Sequence, residues 1–138
     1  MIDASVTRRV VTEFLTHVRS GRDLDRATDL MAPVVLAHQM TSEREVTIER
    51  TPENYADHVR EMIETWGDFT LDVQEVLVDG ARAYVRLVQT GRHAPTGRIV
   101  RQINAMVYHV EDGRITEYWM QIDRAGLAAQ LADAGTVS

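Results

Sequence analysis

The stretch "DGRITEYWMQID", residues 112–123, decides how the rest of the chain is read. It opens on a turn dipeptide, continues as a strand rich in Ile, Tyr, Trp and Thr, and ends on a carboxylate just ahead of the helix-forming run "RAGLAAQLADAG" (124–135). Residues 98–111 upstream have the same β-rich character, so Asp112-Gly113 reads as the turn of an antiparallel hairpin. Residues 69–78 and 81–91 meet around Asp79-Gly80 in the same way. Four strands in succession predict an antiparallel meander.

The first half has a different period. Val6, Val10, Phe14 and Val18 stand four apart with Val11 and Leu15 beside them, which predicts an amphipathic helix over 4–20 that stops at Gly21. "RDLDRATDLM" (22–31) predicts a shorter helix, with Asp23 as its cap, Leu24, Leu30 and Met31 inward, and Pro33 ending it. "VVLAHQM" (34–40) reads as a strand, and "EVTI" (45–48) as a short one within a polar connection. Thr51-Pro52 starts a third helix, whose face is Tyr55, Val59, Met62, Ile63 and Trp66 and whose stop is Gly67. Helices first and a long sheet afterwards predict one α+β domain over 1–138, with a loose tail from about 135. A strongly curved antiparallel sheet around a helix leaves a cone with an open mouth, where small ligands bind.

Composition narrows the chemistry. Net charge is −6, and all 15 basic residues are arginine. Nucleic acids and anionic membranes call for a basic surface and are not expected partners. Without lysine there is no Schiff-base chemistry, and without cysteine no disulfide, thiolate or cysteine-held metal. No apolar run approaches the roughly 20 residues of a membrane span. The N-terminus, acidic at position 3 with arginines inside an apolar pattern, lacks the order of a secretory signal. A cytoplasmic protein is expected. The five histidines lack metal-binding spacing, so no metal is expected either.

"TGRHAPTGR" (90–98) and "DGRITEYWMQIDRAGLAAQL" (112–131) resemble the SnoaL-like polyketide cyclase family of the nuclear-transport-factor-2-like superfamily. The matching pattern is Thr-Gly-x-His, then Pro-x-Gly-Arg, then Asp-Gly-x-Ile-x-Glu-x-Trp-x-x-x-Asp-x-x-Gly-Leu-x-x-Gln-Leu, and the order of elements agrees over nearly the whole chain. Here Ala94 alone separates His93 from Pro95, where the family carries several more aromatic and glycine residues. The rim is therefore cut back, which leaves a different substrate shape or reaction open. The resemblance implies the cone-shaped fold, a homodimer through the exposed sheet face with its alternating Arg82, Tyr84 and Arg86, and a cofactor-free intramolecular aldol cyclisation of a small hydrophobic, oxygenated substrate. Epoxide opening, isomerisation and non-catalytic ligand binding are alternatives on the same fold.

The implied chemistry needs a base within hydrogen-bond reach of an acidic carbon and a pocket that holds a flexible chain in a reactive conformation. Asp123 matches the family's carboxylate after the last strand, and is equally well placed to cap the following helix. A two-residue turn puts Asp123 opposite Gln102, and groups Gln102, Asn104, Trp119 and Gln121 with it on one face. A three-residue turn puts it opposite Arg101. In both registers His109 lies roughly 25 Å away at about 3.3 Å per residue, too far for a relay. His93, in the loop at the mouth end, and His38, a lone polar residue inside an apolar strand, are the candidate catalytic partners. Trp66, Tyr84, Gln102, Asn104, Trp119 and Gln121 are the candidate substrate contacts. His17 and His58 fall beside the apolar faces of their helices, where helix packing is the simpler role. A shared catalytic role requires Asp123, His93 and His38 to meet at one cavity.

Overall fold

The structure is a computed structural model and describes residues 3–133. The expected loose tail lies outside the described residues. Helix α1 spans Ala4–Glu13 and is capped by Asp3, whose carboxylate accepts from the Ser5 N–H. It continues as a π-helical segment, Phe14–Arg19. A 3-10 turn, Leu24–Arg26, leads into α2, Ala27–Leu30, and the Asp23 side chain makes no capping bond there. Strands β1 (Met31–Met40) and β2 (Glu45–Arg50) precede α3 (Pro52–Trp66), which starts on the Thr51 hydroxyl accepting from the Asn54 N–H. Strands β3 (Thr70–Asp79), β4 (Arg82–Arg92), β5 (Ile99–Glu111) and β6 (Arg114–Ile122) form the meander, and α4 (Arg124–Asp133) follows.

The six strands form one open sheet in the order β2-β1-β6-β5-β4-β3. All neighbours are antiparallel except β1 and β6. The first helix lies against the inner face of this sheet. Val10, Val11, Phe14 and Val18 are fully buried there, against Val85, Leu87 and Ile115. Each such side chain contributes about 1.5–3 kcal/mol when taken out of water. Truncating Phe14 to alanine removes the middle of that contact and costs about 3–5 kcal/mol. No helix among the described residues is long and apolar enough to cross a membrane.

Two element boundaries differ from expectation. β1 begins at Met31, so Pro33 lies inside the strand and does not end a helix. It is accommodated because pairing with β6 is irregular between Met31 and Leu36, where no ladder N–H is required of it. The first hairpin turn is Gly80-Ala81, since Asp79 pairs with Arg82.

The last hairpin has the two-residue turn of the first expectation, but beyond a bulge its register matches neither. Its turn is Asp112-Gly113, with Asp112 at φ 52° and Glu111 paired with Arg114. Val110 pairs with Ile115, but His109 pairs with Glu117, so Thr116 is an extra residue in β6. Beyond this bulge Asn104 faces Ile122, and the Asp123 N–H donates to the Ile103 carbonyl at 3.1 Å. The inner face therefore carries Gln102, Asn104, Met106, Tyr108, Tyr118, Met120 and Ile122, while Trp119 and Gln121 stand on the outer face with Val107 and Ala105.

Candidate active site

The inner face of the sheet, α3, the π-helical segment and α4 enclose a cavity of about 230 Å³. Its volume lies below the roughly 300–1,000 Å³ of pockets for drug-sized ligands, so it suits a small substrate or one that extends through the mouth. Trp66, Met62, Met106, Met120, Ile122 and Leu127 supply apolar wall. No carboxylate among the described residues lines it.

One end of the lining is polar and buried. Gln89 and Gln102 pair directly across β4 and β5, with Asn104 two residues along, and all three are less than 10% exposed. Arg19, at the end of the π-helical segment and 6% exposed, donates from Nη2 to Gln89 Oε1 at 2.7 Å. Its guanidinium lies 5.6 Å from the centre of the Phe69 ring. Among the described cavity-lining residues, buried Arg19 Nη1, Arg50 Nε and Asn104 Oδ1 have no hydrogen-bond partner.

A tyrosine cluster forms another part of the wall. Tyr55 and Tyr118 meet edge to face at 6.2 Å, and Tyr108 and Tyr118 lie 5.8 Å apart. Burial pushes the hydroxyl pKa of all three above the usual tyrosine value, so they remain O–H donors at neutral pH. Beside them stands His58, half-buried on α3 with its ring 6.4 Å from that of Tyr55. Burial is the main cause holding its pKa below the usual imidazole value, and Arg50 and Arg19 lower it further. His58 is therefore neutral at pH 7 and able to accept a proton. Arg50, at the end of β2, donates from Nη1 to Asn54 Oδ1 at 2.8 Å, and its positive charge acts on Tyr118 against the effect of burial. At the mouth Arg124 Nη2 reaches Gln39 Oε1 at 3.4 Å.

Of the expected substrate contacts, Trp66, Gln102 and Asn104 line this cavity. Tyr84, Trp119 and Gln121 do not; they border a shallow depression on the outer face with Met40 and Val107. The Thr116 bulge explains Trp119 and Gln121, because one inserted residue exchanges the faces of everything after it. Tyr84 pairs with Val107 and shares its outer side.

The expected convergence of Asp123, His93 and His38 is also corrected. His38 points to the outer face, where its ring stacks on Trp119 at 5.1 Å. Its Nε2 donates to Glu117 Oε2 at 2.5 Å, and its Nδ1 lies 2.8 Å from the Thr47 hydroxyl. Those partners account for a histidine inside an apolar strand. His93 stands behind Trp66, 4.9 Å between ring centres, with Nδ1 bonded to the Thr96 hydroxyl at 2.9 Å. Its loop is pinned to α3 by the Ala94 N–H on the Thr65 carbonyl. Asp123 is exposed at the rim between cavity-lining Ile122 and Arg124, and its Oδ1 accepts from the Gly126 N–H at 2.9 Å. That bond is a helix N-cap. His109 lies on the outer face beside Glu111.

Two of the functional candidates had a signal in the sequence. Arg19 continues the Val11, Leu15 spacing of four and so falls on an apolar helix face, which a charged residue needs a reason to occupy. His58 lies three residues from Tyr55 and four from Met62, on the cavity stripe of α3. Among the described residues no three His, Asp or Glu side chains converge to hold a metal ion.

Comparison with known proteins agrees with this architecture. A candidate polyketide cyclase from Acidithiobacillus ferrooxidans superposes with a TM-score of 0.80 at 24% identity, over 97% of this chain and 99% of that one. IdmH, a candidate polyketide cyclase from Streptomyces antibioticus, gives 0.77 at 24% identity over 91% and 98%. An LEH-like epoxide hydrolase of M. tuberculosis gives 0.73 at 20% identity over 96% and 94%. Identities at this level establish the shared nuclear-transport-factor-2-like fold and not a shared reaction. No curated protein matches the chain by sequence. The family model described as SnoaL-like polyketide cyclase matches residues 9–131, and the chain belongs to that family.

Proposed function

We propose that the chain is a cofactor-independent acid–base enzyme that closes a ring in a small hydrophobic, carbonyl-bearing substrate by an intramolecular aldol step. The observation that carries this reading is His58, kept neutral in a carboxylate-free cavity beside Arg50 and the Tyr118 hydroxyl. His58 takes the proton from a carbon flanked by two carbonyls, and the resulting enolate oxygen is held by Arg50 and Tyr118. The enolate carbon attacks a second carbonyl, forming the ring bond, and the alkoxide takes the proton back from the His58 imidazolium. Proton and electron pairs balance without an external reagent. The apolar and aromatic walls hold the substrate folded for attack. On this reading Asp123 serves as the cap that places α4 and Arg124 at the mouth, and His38 and His93 support the walls from outside.

Incubation with a poly-β-ketone, offered as an ester and as the free acid, tests the proposal by appearance of the cyclised product. An epoxide is the control substrate. Opening of the epoxide with no cyclised product replaces the reaction; binding of both with turnover of neither makes the protein a ligand-binding domain.

We also propose a homodimer through the outer sheet face. Leu36, Leu77, Ile99 and Ile103 are 40–64% exposed there. Glu45, Glu49 and Glu117 lie on the β2–β6 side, and Arg82 and Arg86 on β4, so a two-fold brings acids onto arginines.

A further inference from the structure

We infer that the cavity is built for a substrate bearing a free carboxylate, and that Arg19 binds it. The inference rests on the cavity being the substrate site and names the substrate's charge.

Arg19 is 94% removed from solvent, yet no carboxylate among the described residues forms an ion pair with it. Its polar partner is the neutral amide of Gln89, and its other neighbour of note is the Phe69 ring. A guanidinium stays charged at any working pH, so burial cannot neutralise it as it would a lysine or histidine. Buried charges are ordinarily paired. The chain has 21 acidic residues, and among the described residues none lines the cavity, whereas Arg19, Arg50 and Arg124 all do. The missing negative charge is therefore one that the ligand brings.

The arrangement around Arg19 selects a planar anion. The Nη2 bond to Gln89 fixes the plane of the fork, and Nη1 has no protein partner. A guanidinium edge matches a carboxylate with two parallel N–H···O bonds. Gln102 and Asn104 adjoin Gln89 on the sheet, which gives the rest of a small polar head carboxamide partners. The tyrosines and Trp66 take the apolar body. A neutral ester leaves the buried guanidinium without a counter-charge, so the same cavity discriminates against it.

Calorimetric titration with 2-naphthoate and with methyl 2-naphthoate tests the inference. The wild type is expected to bind the acid at least about tenfold more tightly than the ester, and Arg19→Gln to lose that preference. Because Arg19→Gln alters a buried site, the wild type also gives a readout of its own: the Arg19 Nε–H resonance in an ¹⁵N-arginine spectrum is expected to shift with the acid and not with the ester. Equal affinity of the two probes, an acid preference that survives in folded Arg19→Gln, or an Arg19 resonance indifferent to the acid overturns the inference. A wild type that cyclises poly-β-ketone esters without any acid preference overturns it too, and leaves the cyclisation reading standing. Acid preference at Arg19 without turnover supports the inference and overturns cyclisation.

Discussion

The carboxylate of Asp123 and the backbone of Gly126 are fitted to each other. Oδ1 accepts the Gly126 N–H at 2.9 Å, and a Cβ added at position 126 overlaps the same carboxylate. Asparagine caps as well as aspartate but is no base, so Asp123→Asn is expected to keep both the melting temperature and turnover within about twofold. Asp123→Ala is expected to lose about 1 kcal/mol of stability by removing the cap. Turnover lost in Asp123→Asn at unchanged melting temperature returns the role of base to this carboxylate.

His58 sets the pH dependence. Its folded pKa is below the ordinary 6.5, and the proposed mechanism needs the neutral ring, so kcat/KM is expected to fall on the acid side of neutrality and stay level above it. The unfolded chain takes up a proton near 6.5 that the folded chain refuses, so stability also falls as pH drops from there through the folded pKa. His58→Gln is expected to lower kcat by about 10²–10⁴-fold and to remove both dependences. Paired rate and denaturation profiles from pH 4 to 8 check this; an unchanged acid limb in the variant assigns the base elsewhere.

Tyr55, Tyr108 and Tyr118 predict a second dependence at the alkaline end. Their folded pKa values lie above the usual 10, so the unfolded chain loses protons that the folded chain retains. Stability from these three is complete below pH 10 and is lost as pH rises beyond it. Absorbance titration at the tyrosinate band is expected to show three of the four tyrosines ionising only together with unfolding. Early, reversible ionisation of more than one contradicts their burial.

The outer face predicts self-association sensitive to charge. Sedimentation of the wild type is expected to give twice the chain mass, and Leu77→Glu with Ile103→Glu to give the single chain with its fold retained. A monomeric wild type at micromolar concentration removes the proposed dimer.

The elements were legible where alternation or helical spacing was unbroken, as in α1, α3 and the four meander strands. The site was less so because a single inserted residue reassigns faces. Ile115 and Tyr118 both point inward although three positions apart, which regular alternation forbids and the Thr116 bulge permits. That misfit of spacing was visible in "RITEYWMQI", but a turn-based count cannot tell where an extra residue is absorbed. Trp66, Gln102 and Asn104 do line the cavity, because residues on regular elements keep their faces. His58 reads first as helix packing because that is the simpler role for a titratable residue beside an apolar helical stripe. His38 shows the converse: a buried histidine with Thr47, Glu45 and Glu117 around it on the outer face is explained without a cavity.

Trp66 and Trp119 stand on opposite sides of one sheet, the first in the cavity wall and the second under Arg82 and against His38. The protein thus carries two native fluorophores that report on different events. With Trp119 replaced by phenylalanine, emission is expected to follow occupancy of the cavity; with Trp66 replaced, it is expected to follow the outer face proposed as the subunit contact. Ligand capture and assembly become separately observable in the same molecule, without an attached dye.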